Sequence, residues 1–180
     1  NVPKGLWSKA GIRWLGEVKE LPAHSLWVIQ EHLEELVLAR ESIKRCDVRL
    51  KVFAKQDHLV QRLLKEKGIG IVTASVMRAE IGTFTRFRTG KQLSRFCALS
   101  PRNCSSGERQ ADAGLIRAGN PLLKKVLIEA AHGLVRYHEH WSKFSARLKA
   151  HGKPSCVVVA AVANRWLRHL HHKMVQAELN

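Results

Sequence analysis

The sequence predicts an all-α fold. Three observations carry that expectation: a long helical apolar period from residue 25, an Asn-Pro helix start at Asn120-Pro121, and no sustained apolar/polar alternation of the strand type. The expected architecture is a long N-terminal helix, a coiled-coil-like arm, followed by a compact helical domain containing a helix-hairpin-helix-like element. The boundaries read as a linker or docking segment over 1–24, a long helix or coiled coil over 25–66, and a domain over 67–180.

The first segment holds Pro3, Gly5, Gly11, Gly16 and Pro22, with Trp7 and Trp14 between them. A linker docking through its tryptophans and a core-packing segment fit equally well. From Ser25 to Glu66, Leu26, Ile29, Leu33, Leu36 and Ile43 recur at three- and four-residue steps, and Leu50, Phe53, Val60 and Leu64 continue the stripe. Neither Gly nor Pro interrupts. Acids gather early and bases late, which suits the helix dipole. Arg40, Asp47 and Asp57 interrupt the seam, so a dimerising coiled coil and a simple packing helix both remain open.

Gly68-Ile69-Gly70 then separates two helical stretches. Such glycines let a backbone approach a phosphate, with the next helix offering its N-terminal N–H groups. A tight turn without ligand is the competing reading. Beyond Asn120, an N-cap, and Pro121, a first helical residue, a stripe at Leu122, Val126 and Ala130 marks one helix. Further helices are expected over Trp141–Ala150 and, after Gly152-Lys153-Pro154, over Ser155–Gln176.

Charge narrows the partners. Thirty-one Lys+Arg stand against 15 Asp+Glu, a net charge of +16. Nucleic acid is the leading partner, because its dense phosphates reward cations by counterion release. An anionic membrane surface is the rival, but no clean amphipathic basic helix stands out. The asymmetry concentrates in residues 84–125, with nine basic residues against Glu108 and Asp112. Phe84, Phe87 and Phe96 interleave there, as core or as a stacking platform. Cys46, Cys97, Cys104 and Cys156 show no C-x-x-C spacing and read as reduced cysteines of a cytoplasmic protein. No apolar run is long enough to span a bilayer.

Few side chains offer chemistry. The carboxylates are scattered, and Glu80 and Asp112 have no evident partners, so a self-sufficient two-metal nuclease is not expected. His138-x-His140 and His169-x-His171-His172 lack the further ligands of a metal site, and none is expected. The polar stretch "PRNCSSGERQADAGLIRAGN", residues 101–120, is the remaining candidate. Ser105 and Ser106 lie between Arg102 and Arg109, cations that would stabilise charge building on phosphate oxygens. Gly107 would admit a close-approaching strand. A plain Ser-Gly surface turn is the alternative.

Three stretches, "GIGIVTASVMRAEIGTFTRF", "KQLSRFCALSPRNCSSG" and "GLIRAGNPLLKKVLIEAA", resemble in order and spacing the C-terminal domain of the insertion sequence 110 family of bacterial transposases. Piv-type DNA invertases are relatives. "GLWSKAGIRWL" and "FAKQD" extend the resemblance over nearly the whole chain. The family implies a serine nucleophile that becomes covalently joined to DNA, and its Ser-Gly motif falls on Ser106-Gly107, with Ser105 the alternative. Contacts to DNA or RNA are expected from Gly68, Gly70, Arg102, Gly107, Arg109, Arg117, Asn120, Lys124 and Lys125. Some members are directed by a bridge RNA. Magnesium belongs to a separate RuvC-like domain with a DEDD carboxylate set. The chain is therefore expected to be either the C-terminal part of a longer recombinase or a truncated remnant of one, inactive alone and oligomeric through its long helix, acting on DNA at the nucleoid. Lys67 stands where the family commonly has Pro, Ala98 where it has Gly, Arg117 where it has Lys and Lys124 where it has Arg.

Overall fold

The computed structural model describes residues 4–103 and 112–179. Among these residues are eight α-helices and one two-stranded antiparallel sheet, so the fold is all-α with a small hairpin. The chain divides into two units, Asn1–Val52 and Phe53–Asn180.

In the first unit, α1 (Lys9–Glu17) begins at Ser8, whose Oγ accepts the Gly11 N–H at 3.1 Å. Helix α2 (Ala23–Gln56) has 34 residues, about 50 Å at the α-helical rise. Leu26, Ile29, Leu33 and Leu36 are half-buried, whereas Trp27, Val37, Leu38, Ile43 and Val48 are exposed. Gly11 is the only buried residue among those described in this unit. The stripe read from the sequence is therefore present but mostly uncovered within the unit.

The expectation of one helix to Glu66 is corrected. Helix α2 ends at Gln56, and Asp57 starts α3 (His58–Leu64). The Asp57 carboxylate accepts the N–H groups of Leu59 at 2.9 Å and Val60 at 3.0 Å, and the Arg78 Nε at 2.7 Å. An acidic side chain that satisfies a new helix start ends the old one without Gly or Pro. Burial alone would raise the Asp57 carboxyl, but the hydrogen bond from Arg78, the two backbone N–H groups and the Arg78 charge hold it below its ordinary value.

The second unit continues with α4 (Ile71–Ile81), a single 3-10 turn (Phe84–Arg86), α5 (Gly90–Phe96), β1 (Pro101–Asn103), β2 (Asp112–Leu115), α6 (Pro121–Tyr137), α7 (Glu139–Ala150) and α8 (Ser155–Leu179). Its core is built on Leu63, Met77, Phe84, Leu93, Leu127 and Leu167, all fully buried. Each such side chain contributes roughly 1.5–3 kcal/mol of transfer free energy. On α6 the buried stripe is Leu123, Leu127, Ala130, Ala131 and Leu134. Of the stripe expected at Leu122, Val126 and Ala130, Ala130 is buried and Val126 packs half-buried against the core, while Leu122 is exposed and Leu123 takes its place. Phe84 is core, and Phe87 and Phe96 pack against it, with the Arg86 guanidinium over both rings at 4.8 and 4.9 Å.

Helix α8 is the central wall, packed on α5, α6 and α7. Val158, Val159, Val162 and Ala163 bury its first turns. Close approach to α5 depends on Gly90, where a Cβ would lie 2.9 Å from the Arg168 Cα. Polar ties fix its height. The Glu178 carboxylate accepts the N–H groups of Phe84 at 2.8 Å and Thr85 at 2.9 Å, and Asn164 donates its amide to the Leu99 carbonyl at 2.9 Å. The buried His171 ring meets the Phe87 carbonyl through Nε2 at 3.0 Å, which requires the proton on that nitrogen.

Candidate nucleic-acid interface

The hairpin is the part of the fold that the sequence did not announce. Pro101 pairs with Leu115 and Asn103 with Asp112, with an irregular register between Pro101 and Asn103. A proline that cannot donate to the ladder suits such an edge. The strands bracket residues 104–111, so Ser105, Ser106, Gly107 and Arg109 lie outside the described residues. Arg102 is described and exposed.

Behind the hairpin, its two roots are held together. Ala98 has φ +54°, a left-handed conformation that favours glycine, which accounts for the glycine that the resembled family carries there. Gly119 has φ +137°, and a Cβ on it would meet the Ala98 nitrogen at 2.8 Å and the Phe96 carbonyl oxygen at 2.9 Å. The Asn120 N–H donates to that same carbonyl at 2.8 Å, and the Ile116 N–H to the Ser100 carbonyl at 3.0 Å. The Gly-Asn pair therefore closes the base of the serine segment.

Asn120 does more than cap. Its Oδ1 accepts from the N–H groups of Leu122 and Leu123, both at 3.0 Å, and its Nδ2 donates to a Glu80 carboxylate oxygen. Glu80, without a partner in the sequence reading, is thus bound across 40 residues. The Asn120 side chain is fully engaged within the protein. At this end of α6, Arg117 and Lys125 are exposed and Lys124 is half-buried, and none of the three makes an ion pair among the described residues.

Gly68 and Gly70 belong to the other end. Gly68 has φ +88°, and a Cβ there would lie 3.0 Å from the Leu134 side chain. Gly70 starts α4 with no side-chain cap, and a Cβ on it would meet nothing within 4 Å. Because Gly68 meets Leu134 while Glu80 meets Asn120, α4 and α6 run antiparallel. The turn is then about 20 Å along α6 from Asn120. The structure brings Arg117, Asn120, Lys124 and Lys125 to the hairpin's end of α6 and separates Gly68 and Gly70 from them.

A groove of about 1470 Å³ opens beside the hairpin. Pro101 of β1 and Gly114 and Leu115 of β2 line it, as do Leu99, Phe144 and Ala161, which form an apolar floor. Its charged lining is Arg88, Lys91, Lys153, Arg165 and Arg168, with no Asp or Glu among the described lining residues. None of these five cations is ion-paired among the described residues. Burial first, then the charges of Arg165, His140, Arg168 and Lys173, hold His169 in this wall below its ordinary value. A low-dielectric floor under uncompensated cations concentrates positive potential.

None of those five was singled out as a contact residue in the sequence. A signal was available on α8, where Arg165, Arg168, His169 and His172 recur at helical spacing and form one basic stripe. Among the described residues, no group of three or more His, Cys, Asp or Glu is arranged to hold a metal ion, and no helix is long and apolar enough to cross a membrane. Cys97 is buried and its thiol is pushed up to about 12, so it is inert as a nucleophile at neutral pH.

Residues 60–146 match the model of the transposase IS116/IS110/IS902 family. Three curated relatives agree. A probable family 20 transposase of Pseudomonas aeruginosa is 31% identical over 154 residues, covering 83% of this chain and 45% of the relative. The transposase for insertion sequence element IS1111A of Coxiella burnetii is 35% identical over 103 residues, 57% of this chain and 28% of the relative. The transposase for insertion sequence element IS1328 of Yersinia enterocolitica is 25% identical over 173 residues, 93% of this chain and 51% of the relative. The chain spans about half or less of the length of these relatives. Through residues 60–146, the span that holds the hairpin and α6, the chain is similar to the IS116/IS110/IS902 transposase family.

Proposed function

We propose that this chain supplies the nucleic-acid-binding and serine-nucleophile part of a bacterial insertion-sequence transposase. The observation that carries the reading is the groove, which has five unpaired cations, an apolar floor and no described acid, and is lined by both strands of the hairpin that brackets Ser105 and Ser106. A DNA strand laid there meets cations along its phosphates and an apolar surface under its bases. Arg102, at the edge of the serine segment, stands ready to stabilise charge on the reacting phosphate.

The reaction exchanges one ester bond for another. The oxygen of Ser106, or of Ser105, attacks phosphorus and loses its proton to a base. One P–O bond to deoxyribose breaks, and the displaced oxygen leaves as a hydroxyl. The protein–DNA phosphodiester that results conserves the bond for rejoining. Magnesium and its carboxylates belong in this reading to a RuvC-like domain, which matches the scattering of acids here. A bridge RNA is a further partner in the family reading. The uncovered apolar residues of α2, Val37, Leu38, Ile43 and Val48, support self-association through that helix. The cytoplasm, at the nucleoid, is where such a protein would act.

The decisive experiment supplies a cognate RuvC-like domain with magnesium, element-end DNA and guide RNA, and looks for a covalent protein–DNA adduct. Ser106→Ala abolishes the adduct, and Ser105→Ala leaves it. The reverse pattern shifts the nucleophile by one residue. An adduct untouched by either change sinks the serine assignment.

A second reading has its own observation. The uncapped α4 start at Gly70, after a left-handed Gly68, suits a non-catalytic helix-hairpin-helix module. It requires salt-sensitive DNA binding that no serine substitution affects in any assay.

A further inference from the structure

A second cavity of about 480 Å³ lies beside the α3–α4 turn. Trp141 and Trp166, both buried, form part of its wall. Its polar lining is Lys65, Lys67, His138, His140, His169 and Lys173, with Glu66 as the one carboxylate described there. Glu66 is already engaged, accepting from the Lys173 Nζ at 2.9 and 3.1 Å. Lys65 and Lys67 are exposed and make no ion pair among the described residues.

Two further features point to a ligand. The His138 ring Nδ1 is buried and has no hydrogen-bond partner among the described residues. Such a group costs free energy unless something pairs with it. His140 and His169 stand edge-on to the Trp141 ring, at 4.7 and 5.9 Å between centroids, which fixes their planes. The cavity thus offers several N–H donors and uncompensated positive charge, and its free acceptors are few.

We infer that this cavity binds a phosphate group. A phosphate, with more acceptor oxygens and more negative charge than a carboxylate, can serve two lysines and an imidazole together from different directions. The choice of phosphate over other anions rests on the nucleic-acid reading of the groove, because the two cavities share His169. The site is nonetheless separate from the serine hairpin, since it lies at the Leu134 end of α6. The depressed His169 also fits, because burial first and then neighbouring cations hold it down, and an anion beside it would offset those cations.

The test follows the ring resonances of His138 and His169 by NMR in the whole chain, adding inorganic phosphate against chloride at matched ionic strength. Phosphate moves both rings and raises the pKa of His169. The double variant Lys65→Ala, Lys67→Ala, two exposed positions, weakens this response about tenfold, the loss of one charged hydrogen bond or more. A short DNA duplex forms the second arm. A response to duplex alone identifies a backbone phosphate, and a response to inorganic phosphate alone identifies a free phosphate or monoester; either supports the site. Rings that ignore both probes, or a double variant that responds like wild type, overturn it. Lys91→Ala with Lys153→Ala separates this site from the groove. If that pair leaves duplex affinity intact while phosphate still moves His138, the groove reading has failed and the pocket stands.

Discussion

Two helix starts in the second unit differ in how they treat their free N–H groups. Helix α6 is closed: Asn120 accepts two backbone N–H groups and is itself held by Glu80. Helix α4 is open, since Gly70 brings no side chain and has empty space around it. Both looked like nucleic-acid contacts in the sequence. The structure separates them: one fixes the base of the hairpin, and the other leaves its first N–H groups without a side-chain cap.

The comparison breaks most severely at the closed end. Gly119→Ala drives a Cβ into the Ala98 nitrogen and the Phe96 carbonyl at a φ that alanine avoids. It is expected to destabilise the second unit by about 3 kcal/mol or more, read as a shift in the urea midpoint. Asn120→Ala follows, at about 2 kcal/mol, because the cap is lost and Glu80 loses its partner. Glu80→Gln, which keeps a hydrogen-bonding group of the same shape, is expected to cost less than Asn120→Ala. Equal losses would show that the charge of Glu80 carries the contact.

The open end sharpens the comparison with a smaller change of mixed sign. Gly70→Asp adds a cap and a favourable charge to α4, raising stability by a few tenths of a kcal/mol. The same carboxylate repels phosphate, so duplex affinity falls. Unchanged affinity in a filter-binding titration would remove Gly70 from the interface.

Acid tests the third helix start, α3. Asp57 is held below its ordinary value, so its contribution is complete above the unfolded carboxylate value near pH 4 and is lost as pH falls through the folded one. Stability measured against pH therefore declines on that acid limb. Asp57→Asn flattens the limb and lowers the plateau above it.

The smallest effect is expected at Ala98→Gly. It removes a left-handed alanine but adds unfolded-state entropy and deletes a buried methyl, leaving a net change within about 1 kcal/mol. Calorimetry that shows a larger loss would mean the Ala98 methyl packs more tightly than its φ suggests.

Local signals were the legible ones. Asn120-Pro121 started α6, and Ser155 started α8, because caps and breakers act over three or four residues. The end of α2 was hidden, since Asp57 sits within an unbroken apolar period with neither Gly nor Pro to mark it as a cap, and Arg78, which also holds it, lies 21 residues away. The misplacement of Leu122 on α6 has a similar cause. Leu122 and Leu123 are both apolar, and only packing against α4 and α8 selects Leu123. Strands of three and four residues are too short to show alternation. The groove was the least legible element. Its cations come from the segment before α5, α5 itself, the loop before α8 and α8, and only folding sets them on one surface.

The ties from Glu178 to Phe84 and Thr85 have a consequence for the order of manufacture. A chain leaving the ribosome presents the family-matched span, residues 60–146, well before α8 exists. The hairpin and α6 must then wait, some seconds at ordinary synthesis rates, for the wall that completes the groove. Termination between residues 107 and 177 would release a product that carries the serines but lacks the clasp on the segment before α5. That dependence places a check on the last turn of α8.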